Sequence, residues 1–179
     1  MGKNNIFAIR KIGYDKDTSS IFGGGNMANV VEPTLTDDLV QTLRKDCIVM
    51  VATTDFEKQV PNVSAISWVY AVSKTSIRFA VDQRSRIVEN IRHSTGVVLT
   101  IMANESVFSI SGAGEILTDR MESIPLKLTV IEVNVKEVRD VMFYGAKLAT
   151  EPTYEKTYDL RAAKKLDNQV LVGMKELKI

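Results

Sequence analysis

Two arginines flank a serine in Arg84-Ser85-Arg86, where an apolar strand-like run ends and a helical pattern begins. The run Ser76–Val81 has strand character, and from residue 85 onward Ile87, Val88 and Ile91 fall on one helical face. Arg84, Ser85 and Arg86 therefore belong to a helix N-terminus, where unpaired backbone N–H groups and the positive dipole end favour an anion. Basic side chains there oppose the dipole at about 0.3–1 kcal/mol each, so two of them ask for an external negative charge. A phosphate would supply it. The plainer alternative is that Asp82 caps the helix and both arginines point into water.

The preceding strand, PNVSAISWVYAV from Pro61 to Val72, carries Ser64, Ser67 and the sole tryptophan, Trp68, among small and apolar residues. Small side chains let a flat ring approach the backbone, whose N–H and C=O groups can recognise heteroatoms at the ring edge. An ordinary barrel strand with Trp68 in the core is the competing expectation.

Other chemistries find little support. The single cysteine, Cys47, excludes an intrachain disulfide, and it begins an apolar run where a buried thiol is expected rather than a nucleophile. With His93 as the only histidine, a Cys/His zinc site is not available and a hydrolytic triad has one imidazole to use. The turn FGGGN, Phe22 to Asn26, lacks the lysine and Ser/Thr of a Walker phosphate loop. No catalytic side chain and no metal ligand is assigned.

The formal net charge of +1, from 23 basic and 22 acidic residues, provides no global field for nucleic acid or an anionic membrane surface. No run approaches the roughly 18 consecutive apolar residues of a membrane span. The expectation is a cytoplasmic protein with neither nucleic acid nor membrane as partner.

These residues need elements to position them. Leu35, Leu39 and Leu43 with Thr36 as cap predict a short amphipathic helix after Pro33. Cys47–Thr54, Val63–Val72, Ser76–Val81, Gly96–Ala103, Val107–Leu117 and Leu128–Val138 read as strands, and Ser85–Ser94 as the one helix among them. Six short strands and one crossing helix predict a small antiparallel barrel, because closure removes exposed edges. The fold class is all-β to α+β. Residues 1–33 are expected to form an N-terminal arm and residues 34–143 the barrel. Residues 144–179 form an extension, with Asp159 capping a helix that carries Leu160, Ala163 and Leu166, and it packs on the barrel or a partner subunit.

The order of pieces over roughly residues 35–142 resembles the flavin-binding split barrels, which include pyridoxamine 5'-phosphate oxidases and small FMN-binding proteins. The resemblance rests on P-x-V-S-A-I-S-W, F-A-V-D, R-S-R-x-x-x-N and S-I-S-G-A-G-E-I in that order. It implies a six-stranded antiparallel split β-barrel with short flanking helices and FMN as cofactor. Arg86 matches the family's basic phosphate ligand, Ser85 its neighbouring hydroxyl, and Asn90 the asparagine one turn on, with Arg84 beside them. By the same matching Ala65, Ile66, Ser67 and Trp68 face the ring, and Ala80, Val81 and Asp82 lie along the ribityl chain and phosphate.

The resemblance also implies a homodimer with FMN in the subunit groove. Pyridoxamine phosphate oxidases recognise substrate partly through an Arg-x-His pair near the C-terminus, and this chain has no histidine after His93. Pyridoxamine phosphate is therefore not the expected substrate. What remains is an FMN-dependent oxidoreductase that passes electrons or hydride to a small acceptor, served by transient NAD(P)H or a partner reductase. A flavin storage or sensing protein without turnover, and a deazaflavin-dependent relative, are the alternatives.

Overall fold

A computed structural model describes residues 31–122 and 124–177. The FGGGN turn and nearly all of the N-terminal arm lie outside the described residues. In chain order the elements are β1 (Val31–Glu32), α1 (Asp37–Thr42), β2 (Val49–Thr54), β3 (Pro61–Ile66), β4 (Val69–Ala71) and β5 (Ser76–Asp82). They continue with α2 (Arg86–His93), β6 (Gly96–Ala103), β7 (Ser106–Thr118), β8 (Leu128–Asp140) and α3 (Leu160–Glu176). The strands form one curled sheet in the order β3-β2-β6-β7-β8-β5-β4, with β1 paired to β8 and all pairings antiparallel. The architecture is an antiparallel half-barrel of the α+β class.

The path ends at β3 and β4, which are consecutive in the chain yet are not hydrogen-bonded neighbours. Here the structure departs from the expected six strands. The run expected as one strand over Val63–Val72 breaks at Ser67 and Trp68, so its first half pairs with β2 and its second with β5. Trp68 stays tied across the break, because its carbonyl accepts from Ala80 N at 3.0 Å. The two-residue β1 accounts for the other added strand of the eight-stranded sheet.

Alternation explains the inner core and its failure explains the outer one. In β2 every second residue is buried, Val49 and Val51 among them, as a half-buried strand requires. In β5 and the first half of β8 both faces are buried. Ile77, Phe79, Ile131 and Val133 fill the barrel interior together with Leu39 of α1, Leu43 at its C-cap and Leu35 just before its N-cap. On the opposite face Ala80, Leu128 and Val130 are covered by Val170 and Met174 of α3.

The C-terminal end of α3 is held by a buried ion. Arg78 and Glu132 are cross-strand partners on that outer face, with Nε to Oε2 at 2.5 Å. Arg78 Nη1 also donates to the carbonyls of Met174 and Leu177, each at 2.8 Å. Those two carbonyls lie at the negative end of the helix dipole, so a guanidinium there answers both the charge and the orphan acceptors. Gly112 meets a separate need. A β-bulge follows Ser111, and a Cβ at 112 would lie 2.4 Å from Asn134 O on the paired strand.

Candidate functional site

The break between β3 and β4 opens a cavity of about 530 Å³. Ser64, Ala65, Ile66, Ser67 and Trp68 form one wall, and Ala80, Val81 and Asp82 from the end of β5 form another. Ser85 and Ile87 bring the start of α2 to one end. Eight expected site residues thus line a single cavity: Ala65, Ile66, Ser67, Trp68, Ala80, Val81, Asp82 and Ser85.

Local chemistry sets the α2 end. Ser85 is the N-cap in extended backbone, and its Oγ accepts from Ile87 N at 3.3 Å. Its own N–H donates to Asp82 O at 2.8 Å, which links the strand end to the helix start. Behind this cap the helix begins at Arg86.

Arg84, Arg86 and Asn90 do not line the cavity. Arg84 is about nine-tenths exposed and folds back on Asp82, with Nε to Oδ1 at 3.1 Å. This pair raises the Arg84 pKa and lowers that of Asp82, first through the side-chain hydrogen bond between them. Arg86 turns the other way. Its Nε and Nη2 donate to the two oxygens of Asp55 at 2.9 and 3.0 Å, and Nη2 also reaches Glu57 Oε2 at 2.5 Å.

Asp55 closes the turn after β2, accepting from Glu57 N and Lys58 N. The Arg86 hydrogen bond, followed by the Lys58 N–H, holds its carboxyl well below the usual carboxylate range. The guanidinium also lies over the Phe56 ring, 4.2 Å from its centre, and Phe56 stacks on His93 with centroids 4.5 Å apart. Asn90 is fully buried; its amide donates to Thr53 Oγ1 at 2.8 Å and its carbonyl accepts from Phe56 N at 3.1 Å. Arg86 and Asn90 therefore depart from the expected cluster, because the turn Asp55–Gln59 folds onto α2 and engages both.

The sequence pattern alone misses the third wall. Tyr154, Lys156 and Tyr158, from the segment before α3, also line the cavity. Their spacing of two was the available signal, since alternate residues of an extended segment share a side. Tyr154 OH donates to Asp46, and Lys156 Nζ pairs with Asp167 Oδ1 at 3.2 Å. The same carboxylate oxygen accepts from Trp68 Nε1 at 2.7 Å, so Asp167 of α3 ties both the indole and the lysine in place.

Burial raises the Tyr154 pKa, and the hydrogen bond to Asp46 adds to it. For Lys156 burial pulls downward, but Asp167, Tyr154 and Asp46 together push its pKa above the ordinary value. A phenol and a cation thus stand on the cavity lining. The one thiol is no competitor for chemistry: burial, then Asp46 and Glu151, push Cys47 up to about 11. Among the described residues no group of His, Cys, Asp and Glu is arranged to hold a metal ion, and no helix is long and apolar enough to cross a membrane.

No family model and no curated protein matches the chain. Solved structures do. A Lactobacillus delbrueckii protein provisionally assigned as a pyridoxamine 5'-phosphate oxidase is 18% identical, with a TM-score of 0.51 over 63% of this chain and 98% of its own. Group A Streptococcus HupZ is 15% identical, with a TM-score of 0.50 over 64% of this chain and 99% of its own. At these identities the likeness is one of fold.

Proposed function

We propose that this chain, whose fold is the split barrel of the pyridoxamine 5'-phosphate oxidase-like proteins, binds FMN and passes electrons or hydride through it to a small acceptor. The observation that carries the proposal is the convergence of three segments of the chain on one cavity, whose lining holds a helix start together with aromatic and cationic groups.

The residues present fit such a group. Ser64, Ala65 and Ser67 leave backbone exposed for a flat ring, and Trp68, Tyr154 and Tyr158 offer aromatic surface around it. Ser85 and the backbone N–H groups of the first turn of α2 would hold the phosphate, with Asp82 beside the ribityl chain. Arg84 is the nearer candidate cation, since it is exposed and held only by Asp82. Arg86 would act one step removed, by holding α2 against the turn at Asp55. Lys156 would place positive charge near the ring and Tyr154 a hydroxyl. When bound, FMN supplies reversible uptake of electrons or hydride, so no catalytic side chain is required. Reduced nicotinamide or a partner reductase would be the donor.

A second copy of the chain would complete the groove. Edge strand β3 pairs only with β2 among the described residues and leaves Val63 55% exposed beside the cavity, which supports a homodimer. The test is the visible absorption spectrum of purified protein after FMN is added and the excess removed, with sedimentation of the same sample. Two retained flavin bands and a mass of twice 19.9 kDa are expected. Loss of all flavin absorbance would overturn the cofactor assignment, and a monomer mass would overturn the dimer.

A further inference from the structure

We infer that a second cavity, sharing a wall with the first, binds a small oxyanion carried on a flat apolar body, and that it is the acceptor subsite if FMN occupies its neighbour as proposed above. The cavity has a volume of about 360 Å³ and lies between the N-terminal half of α3, the start of β4 and the loop after α1. Trp68, Val69, Ala163 and Leu171 make its lining partly apolar, while Lys45 from the loop after α1 and Lys164 from α3 also line it.

Charge decides the class of ligand. Two carboxylates are also present: Asp167 accepts from Trp68 Nε1 and is paired with Lys156, while Asp46 accepts from the neutral Tyr154 hydroxyl and keeps its charge. Lys45 and Lys164 have no ion pair among the described residues, so with Lys156 and Asp167 paired, two lysines stand against the one carboxylate of Asp46 and the balance at this cavity is positive. Two lysines without ion pairs beside a partly apolar lining favour an anion whose body replaces water on Trp68, Ala163 and Leu171. A neutral molecule would leave both ammonium groups unanswered.

Position supplies the second part. Ser67, Trp68 and Lys156 line both cavities. A molecule in the second one therefore lies against residues that face the proposed ring site, with Trp68 fixed between by its bond to Asp167. Because Trp68 is the only tryptophan, its indole N–H gives one assignable signal that reports on occupancy.

The experiment follows that indole signal by nuclear magnetic resonance while phenyl phosphate, benzoate and neutral benzyl alcohol are titrated into the full chain saturated with FMN. Phenyl phosphate and benzoate distinguish a phosphate from a carboxylate as the oxyanion. At least one of them is expected to give a saturable shift that benzyl alcohol does not, weakened about tenfold in the Lys45→Ala/Lys164→Ala variant. No saturable shift from either anion, or equal affinity in the variant, would overturn the inference. If FMN is not retained, the flavin assignment fails on its own absorbance, and the same titration of the flavin-free chain still tests the second cavity, because dependence on Lys45 and Lys164 separates it from the helix start at Ser85.

Discussion

Asp167 is the residue whose removal should be felt at both the fold and the cavity. It lies on α3, 99 residues beyond Trp68, and its Oδ1 receives the indole N–H at 2.7 Å and Lys156 Nζ at 3.2 Å. A hydrogen bond to a charged group contributes about 1.5–3 kcal/mol, and a partly exposed ion pair up to about 1 kcal/mol. Asp167→Ala should therefore cost about 2–4 kcal/mol of unfolding free energy, a large share of the roughly 5–15 kcal/mol typical of a whole domain. The assay is urea unfolding followed by far-ultraviolet circular dichroism, because the partner variant Trp68→Phe removes the only tryptophan. In a double-mutant cycle the two substitutions should couple by about 1–2 kcal/mol at unchanged m-value. The FMN dissociation constant should rise in Asp167→Ala, since Trp68 and Lys156 both line the cavity. Strict additivity, within about 0.5 kcal/mol, would refute the claim that Asp167 positions the indole.

Gly112→Ala should destabilise by about 1–3 kcal/mol in the same urea assay, because its Cβ would sit 2.4 Å from Asn134 O and 2.8 Å from a Val133 methyl. Asp55 gives a pH dependence with a definite sign. Its folded pKa is depressed, chiefly by Arg86, so its contribution is fully present above the unfolded value of about 3.9 and is lost as pH falls below it. Asp55→Asn should be less stable at neutral pH and should show a shallower loss of stability below about pH 4 than the parent chain. An acid titration of melting temperature checks both parts, and parallel curves would remove Asp55 as the source. Cys47, pushed up to about 11, should react with a disulfide reagent at pH 7 more than about a hundredfold slower than free cysteine, and faster as pH rises.

The barrel was legible where local pattern and tertiary surroundings agree. β2, β5, β6, β7 and β8 fall where β-branched runs alternate or stay apolar, and α2 where Ile87, Val88 and Ile91 share a face. The break at Ser67 and Trp68 was not legible, because both residues suit a strand and what turns the indole aside is a carboxylate on a distant helix. The unbroken burial of β5 and early β8 did carry a signal. Alternation fails there, so something must cover the outer face, and α3 does. The tail was expected only to pack, and its Tyr154, Lys156 and Tyr158 wall went unread because alternate spacing in a charged segment does not say which surface it crosses.

Arg86 marks the same limit at the start of α2. Read locally, a basic residue in the first turn of a helix is a charge without an answer, and an external phosphate is the economical solution. The chain contains its own answer 31 residues earlier, in a turn whose Asp55 carboxylate is already oriented by two backbone N–H groups. With its Nε and Nη2 engaged, that guanidinium keeps only Nη1 for a phosphate unless it gives up Asp55 or Glu57. The helix start remains available, and so does Arg84 at the cost of one exposed pair. Affinity for an anion here should therefore depend on backbone geometry held in place by Arg86 more than on the Arg86 charge. A lysine at 86, which keeps the charge but cannot form the forked bond to Asp55, separates the two: FMN affinity should fall with the loss of the fork, and full affinity in Arg86→Lys would show that charge alone is what the site uses.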